Sequence, residues 1–445
     1  MSKSKYQPYA QYKPSQSEWL DKVPEKWEEK RLKFLISQKI TDGPHETPKF
    51  ISEGVPFLSV DGIQNDRLVF ENCRFISQEN HTQYKLKCFP RKGDILLGKA
   101  ASVGKVAIVD VDFEFNVWSP LALIRANKKI LSKYIYYSFK ANTLQDQVSI
   151  RSTSNTQHNL SMDDIPELWL TFPSVENQKV IIAFLDCETA KIDQIIEKNN
   201  HLVELLHEKR QAVITRAVTK GLDPRARLKP SGIDWLGDIP EDWEVKRLKY
   251  VSYPRVSNVD KKSEDDIKVM LCNYIDVYKN DFIDENIDFM EATAKINQID
   301  NFELKHDDIL ITKDSETPDD IGISAYVKLK DTVKIVCGYH LAIITPNKPS
   351  LIGRYLFRLF HSKLYRSQFE ISCNGVTRFG LNSYIIFNIN VILPPLPEQK
   401  NIADYIDDKT AKIDEMTKKV ELQNQKLQEF RQALISSAVT GKIQV

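Results

Sequence analysis

Two stretches of the chain carry apolar residues at alternating steps of four and three, the spacing of one face of a long helix. The first runs Ile181, Leu185, Ile192, Ile195, Leu202, Leu206, Val213, and the second runs Ile402, Ile406, Ile413, Met416, Gln423, Leu427, Leu434, with one polar slip at Gln423. The first predicts a helix over residues 180–218, a length of 39 residues, or about 58 Å at ~1.5 Å per residue. A stripe this long calls for a helical partner, so the two helices are expected to pack antiparallel on each other. Polar residues at further seam steps, Glu188, Asn199 and Lys209, favour a fixed register over maximum stability. Proline marks where each helix begins: Pro173 before the first, and Pro394, Pro395 and Pro397 at the start of the second.

The two stripes belong to a duplication that covers the chain. Residues 19–33 read WLDKVPEKWEEKRLK, and residues 235–249 read WLGDIPEDWEVKRLK, an offset of 216. Downstream, TAKID at 189–193 recurs at 410–414, and RQAVITRAVT at 210–219 recurs as RQALISSAVT at 431–440, an offset of 221. Between these shared segments lie two inserts that differ, roughly residues 36–170 and 251–391. Each alternates short apolar runs with turn residues, as in GVPFLSVDGI, KGDILLGKAASVGKVAIVD, DDILITKD and VKIVCGYHLAIITPN, which are strand signals. LSKYIYYSFKA and IGRYLFRLFHSKL read as helices inside the same inserts. The expected fold class is α+β: two mixed α/β domains held apart by two long antiparallel coiled-coil-like helices, with an internal pseudo-twofold repeat. The expected boundaries are 1–172, 173–221, 222–392 and 393–445, alternating domain and helix.

Composition then narrows the class. At 445 residues with 42% hydrophobic and 28% charged residues, the chain has material for more than one core and a wet surface. No run approaches the ~20 apolar residues that span a bilayer, and the first residues lack a secretory apolar core, so a cytoplasmic protein with no membrane contact is expected. The six cysteines form no CxxC pair and read as packing residues. Sixty-two Lys and Arg stand against sixty-one Asp and Glu, so any attraction to nucleic acid must come from a local basic patch or from a partner.

At this point the residues resemble a known family, the specificity subunits of type I restriction-modification enzymes. KPSGIDWLGDIPEDWEVKRLK at 229–249 is similar to that family's domain-opening signature, and LPPLPEQKNIADYID followed by TAKID is similar to its lead into a spacer helix. ITDGPHETPKF, SVGKVAIV and TQHNLS in the first insert also look like family patterns; in the second, DSETPDDIG stands where SVGKV is expected. The resemblance implies two target-recognition domains, each reading one half of a bipartite, asymmetric site on double-stranded DNA. It further implies two adenine methyltransferase (modification) subunits as partners, with translocase-nuclease (restriction) subunits added for cleavage. Unlike readers on a pseudo-dyad agree with unlike half-sites about one helical turn apart, ~34–36 Å.

Reaction chemistry is not written in the chain. GKAASVGK at 98–105 mimics a phosphate loop, but its glycines are wrongly spaced and Val106 stands where Ser or Thr must hold magnesium. The acid-x-lysine string around Glu241 and Lys246 recurs in the other scaffold copy and lacks a separate metal acid. The eight histidines show no metal-ligand spacing, and His45 and His158 read as surface or packing residues. No cofactor, no metal and no catalytic group is therefore expected, and a non-catalytic recognition subunit is the reading.

Base recognition uses Arg and Lys toward guanine, Asn and Gln toward adenine, and Ser or Thr toward either. Loops rich in these types supply the DNA-binding candidates. In the first insert they are Lys99, Ser102, Lys105, Arg151, Ser152, Asn155 and Gln157; in the second they are Lys313, Ser315, Asn374, Thr377 and Arg378. The alternative reading is a coiled-coil tether joining two protein-binding domains without DNA, which the near-neutral charge suits.

Overall fold

A computed structural model describes residues 6–154, 158–260, 267–330 and 334–445. The two apolar stripes become helices Val175–Lys220, of 46 residues, and Leu396–Val439, of 44 residues. The first extends beyond the expected range at both ends. Its start lies two residues past Pro173, and Pro397 sits inside the first turn of the second helix, where a missing N–H costs nothing.

Two compact units divide the chain, Met1–Asn199 with Leu422–Val445, and Asn200–Glu421, so each long helix gives part of its length to each unit. In the first unit Arg431 grips Asp193 (Nε to Oδ1 2.8 Å), and Asn199 donates to Asn424 at 2.8 Å. In the second unit Arg210 grips Asp414 (Nε to Oδ1 3.0 Å). Arg210 and Arg431, like Asp193 and Asp414, are repeat equivalents. In both units residue numbers rise on one helix as they fall on the other, so the helix segments pack antiparallel. The Asn199–Asn424 pair is a seam contact that fixes register at the place where a polar seam residue was expected.

The units share one sheet plan. In the first, strand Ile95–Gly98 lies between Val106–Ile108 and Leu121–Ile124, with Thr41–Asp42 beyond, all antiparallel. In the second, Ile309–Thr312 lies between Ser324–Val327 and Leu341–Pro346, with Ser252–Val256 beyond and a fifth strand, Phe282–Ile283, added in parallel at the other edge. A smaller three-stranded sheet accompanies each. The first expected helix forms as Ser132–Lys140; the second forms as Gly353–Phe360 and stops short of the expected end, because Ser362 caps a separate helix, Lys363–Ser372. The ends of the long helices enter these cores: Leu434, Ile435, Ala438 and Val439 pack in the first unit, and Ile214, Ala217, Val218, Ile402 and Ile406 in the second.

Repeated residues do repeated work. Gln178, fully buried, accepts from the Leu131 N–H and donates to the carbonyls of Lys129 and Pro173, at 2.8–2.9 Å. Gln399, also fully buried, does the same with Ile352, Ser350 and Pro394 at 2.9–3.0 Å. A planar amide with both donor and acceptor ties each helix start to the loop beside it. The buried Tyr134 hydroxyl donates to the carbonyls of Thr171 and Val439, and the buried Tyr355 hydroxyl to those of Ile392 and Val218. Gly221 and Gly441 follow the two helices at φ +74° and +71°, where side chains are strained, and both lie against the repeated PExW segment: a Cβ on Gly221 would crowd Glu398 and Trp243, and one on Gly441 would collide with Pro24.

Among the described residues no helix is long and apolar enough to cross a membrane. Cys88, Cys272 and Cys337 are buried as packing residues should be, but Cys187 is exposed on the first long helix.

Candidate nucleic-acid interface

In each unit the described candidate residues fall on or beside two segments that the backbone ties together. The first unit has the turn of residues 99–105 between strands Ile95–Gly98 and Val106–Ile108. It is tight: Gly104 donates to the Gly98 carbonyl at 2.9 Å, Ala101 adopts φ +62°, and a Cβ at Gly98 would lie 2.5 Å from the Ser102 oxygen. Its neighbour is the antiparallel strand pair Thr153–Ser154 with His158–Asn159. Ala100 pairs with Asn159, and Leu160 donates to the Lys99 carbonyl at 2.8 Å. The Gln145 amide, on the helix Asn142–Arg151, donates to the Gly104 carbonyl at 3.2 Å and buttresses the turn from behind.

The second unit repeats this wiring with different residues. Leu381 donates to the Lys313 carbonyl at 2.7 Å, and Asp314 pairs with Gly380 in the short ladder Asp314–Ser315 with Phe379–Gly380. Asn374 bridges to Gly380 and closes the loop of residues 374–380. Lys313 is thus the structural counterpart of Lys99, and Asp314 that of Ala100.

The side chains are held differently. Lys99 is buried, its ammonium 3.4 Å from the buried carboxylate of Asp42, which also takes Lys87 at 2.7 Å and His45 at 2.9 Å. Burial pushes the Asp42 carboxyl up, but Lys87 and Lys99 outweigh it and hold the group below the usual carboxylate range. The charge of Lys99 is therefore spent inside the protein, and Lys105, exposed at the far side of the turn with its ammonium 3.4 Å from the Ile63 carbonyl, is the cation presented to solvent. Ser102 is half-buried beside it. Arg151 ends its helix half-buried, and its Nε is buried without a hydrogen-bond partner among the described residues. Ser152 caps the same helix end by donating to the Val148 carbonyl at 2.6 Å. Asn155 and Gln157 lie outside the described residues.

In the second unit Asp314 gathers the polar groups. It accepts from His340 and from Arg378 (3.2 Å), and stands 3.2 Å from the ammonium of Lys313, which in turn sits 4.2 Å over the Tyr339 ring. Arg378 is 61% exposed, so its guanidinium is oriented by Asp314 yet open to solvent. Asn374 and Thr377 are exposed on the same loop. Ser315 shares a hydrogen bond with Tyr274 (3.3 Å), whose ring stacks on Tyr278 at 5.7 Å. Tyr274, Tyr339 and His340 were not singled out in the sequence. Only the pairing of Leu341–Pro346 with Ile309–Thr312, which starts both turns at one sheet end, brings Tyr339 and His340 beside Lys313.

Among the described residues no group of three His, Cys, Asp or Glu is placed to hold a metal ion. The arrangement offers donors and cations on a stiff edge, suited to meeting a hydrogen-bonding anionic partner.

Comparison with known proteins agrees with this architecture. The type I restriction modification DNA specificity domain matches twice, at residues 24–205 and 240–424. The chain is 25% identical over 442 residues to the putative type I restriction enzyme MjaX specificity subunit of Methanocaldococcus jannaschii, covering 96% of each chain. It is 21% identical over 398 residues to the EcoKI specificity subunit of Escherichia coli K12, covering 87% of this chain and 82% of that one. The fold matches the HsdS subunit from Thermoanaerobacter tengcongensis with a TM-score of 0.54 at 15% identity, over 95% and 98% of the two chains. It also matches a chain in a solved structure of type I R-M complex assembly and conformational transition, with a TM-score of 0.71 at 15% identity, over 95% and 99%. With two copies of its defining domain covering most of its length, the chain belongs to the type I restriction-modification DNA specificity family, as a specificity subunit.

Proposed function

We propose that the chain recognises a bipartite, asymmetric site on double-stranded DNA, one unit reading each half, and so directs adenine methylation and restriction performed by partner subunits. Two adenine methyltransferase (modification) subunits and translocase-nuclease (restriction) subunits supply the chemistry; this chain supplies binding. The observation that carries the reading is the pair of tied turns in each unit, built on the same backbone plan but dressed with different side chains. A shared plan gives both units the same way of approaching a duplex, and different side chains give unlike half-sites. In the first unit Ser102, Lys105, Arg151 and Ser152, with Asn155 and Gln157, face one half-site, and Lys99 stiffens the turn beneath them. In the second, Ser315, Asn374, Thr377 and Arg378 face the other, with Lys313 behind them. The functional segments are then residues 1–172 and 222–392 as readers, with 173–221 and 393–445 as spacers, in a cytoplasmic complex.

Co-expression with the neighbouring genes and mapping of methylated adenines in host DNA tests this. A single interrupted motif with unlike halves is expected. If a methyltransferase partner is bound and active but no such motif appears, the DNA reading gives way to a tether between protein-binding domains.

A further inference from the structure

A cleft of about 790 Å³ in the second unit takes no part in the turns described above. It is lined by Lys305, His306, Lys328, Lys330 and Lys348, with Glu303 the one acid among its described lining residues. The sheet explains the convergence. Ile309–Thr312 runs antiparallel to Ser324–Val327 and to Leu341–Pro346. The chain before the first strand and the chain after the other two therefore leave the sheet at one end. Lys305, Lys328, Lys330 and Lys348 collect there, whereas Lys313, Ser315 and His340 lie at the opposite end. The four-residue strand between them alone spans roughly 13 Å at ~3.3 Å per residue.

Few acids neutralise these cations, and the one felt by Lys305 is Asp308, buried at the head of the strand. Lys330 meets Glu285 at 3.9 Å, Lys328 lies 3.4 Å from the centre of the Phe282 ring, and among the described residues Lys305, Lys328 and Lys348 form no ion pair. The same end of the sheet in the first unit is less bare: Lys92 is paired with Asp112 at 2.8 Å and Arg125 with Asp94 at 2.6 Å, although Arg91, whose N–H meets Asp94 as that of Lys305 meets Asp308, forms no ion pair among the described residues. The shared fold therefore does not require a bare basic cleft, and mutual repulsion of four lysines weighs against keeping one without a use. Lysine is depleted in protein–protein interfaces, whereas phosphate contacts are made largely by lysine and arginine. An ammonium is a hydrated point charge without the fork that reads a base edge, so such a contact is blind to sequence.

We propose that this cleft binds the phosphate backbone of double-stranded DNA independently of base sequence. The inference rests on the DNA reading above and adds to it a contact separate from the base-reading turns. The test uses the full chain in complex with its methyltransferase partner, titrated over a range of salt with a duplex carrying the methylated motif and with a scrambled duplex. Replacing Lys305, Lys328, Lys330 and Lys348 with Gln should weaken both duplexes by the same factor and leave their ratio unchanged. It should also make the log–log salt slope shallower by about 3–4, at ~0.9 per phosphate contact. The milder double variant Lys305→Gln with Lys348→Gln should remove about half of that change, and serves if the fourfold variant folds poorly. A control removing Lys268, Lys279, Lys363 and Lys400 should leave the slope in place. An unchanged slope in the cleft variants overturns the proposal, as does an equal loss in the control. So does loss of a co-purifying subunit with the slope intact, which would make the cleft a dock for an acidic protein. A wild-type complex that fails to distinguish the two duplexes sinks the sequence-reading role instead, while the slope still decides the cleft.

Discussion

The first unit locks its helix Ser132–Lys140 to the first long helix through Asp186, which accepts from the Tyr137 hydroxyl at 2.6 Å and pairs with Lys133 at 2.7 Å. The second locks Gly353–Phe360 to the other long helix through the equivalent Asp407, which accepts from Arg358 at 2.6–2.7 Å and also grips Arg354. A tyrosine and a lysine in one unit stand where two arginines stand in the other, yet the acid is kept. By contrast Gln178 and Gln399, or Tyr134 and Tyr355, are kept outright. The difference follows from what each side chain meets. The glutamines and tyrosines satisfy backbone groups whose positions the fold dictates, and few side chains carry the right donors and acceptors at that reach. A carboxylate on a helix surface meets only other side chains, and several combinations serve it equally.

The largest expected effect tests the sameness. Gln178→Ala and Gln399→Ala each remove three hydrogen bonds made by a fully buried amide, so each should cost about 3–4 kcal/mol at ~1 or more per bond, measured by denaturant unfolding. Similar losses at both positions support an equivalent role; a loss at one alone would mean that the two helix starts are held in different ways.

The acids should separate the units. Asp407→Ala leaves Arg358, only 4% exposed, without its counter-charge and should cost about 3 kcal/mol, the low end for breaking a buried pair because Asp407 keeps some access to water. Asp186→Ala loses one hydroxyl bond and one exposed ion pair, together about 1–2 kcal/mol. Acid sharpens the contrast. Burial pushes the Asp407 carboxyl up, but Arg354 and Arg358 outweigh it and hold it below its unfolded value. Its stabilisation is therefore complete above the unfolded pKa and is lost as pH falls through the folded one. Stability curves of wild type and Asp407→Ala should converge on acidification below about pH 4. Curves that stay parallel would show that the pair carries no charge-dependent stability.

How much of this was legible in the sequence differs by kind of feature. The duplication, the long helices, the flanking prolines and the strand runs could be read because each is local and repeats. The paired turns could be nominated by composition, but not joined, since the Ala100–Asn159 and Asp314–Gly380 pairings span 59 and 66 residues of chain. The fate of Lys99 was not legible either. Its partner Asp42 lies on the strand Thr41–Asp42, which reaches it only across Leu121–Ile124. The stripe was also over-read in its middle. Ile195, Leu202 and Met416 are 40–51% exposed, because heptad spacing places a residue on a helix face without saying whether anything covers that face.

The smallest expected effects lie at the turns, where the units place an acid differently. In the first, Asp42 sits behind the turn and binds the buried Lys99, leaving Lys105 at the surface without a carboxylate partner among the described residues. In the second, Asp314 sits on the turn itself and holds the exposed Arg378 in place. An oriented guanidinium suits bidentate reading of guanine, whereas a loose ammonium suits phosphate. Arg378→Ala should therefore cost about 1–3 kcal/mol of binding and relax recognition at one position of one half-site, while Lys105→Ala should weaken all sequences alike and reduce the salt slope by about 1. Asp314→Asn is the finer probe. It keeps Arg378 but removes the charge that orients it, so affinity for scrambled DNA should rise while preference for the target falls. If target and scrambled duplexes instead change by the same factor, Asp314 only tunes charge, and the orientation of Arg378 is not what the second unit reads with.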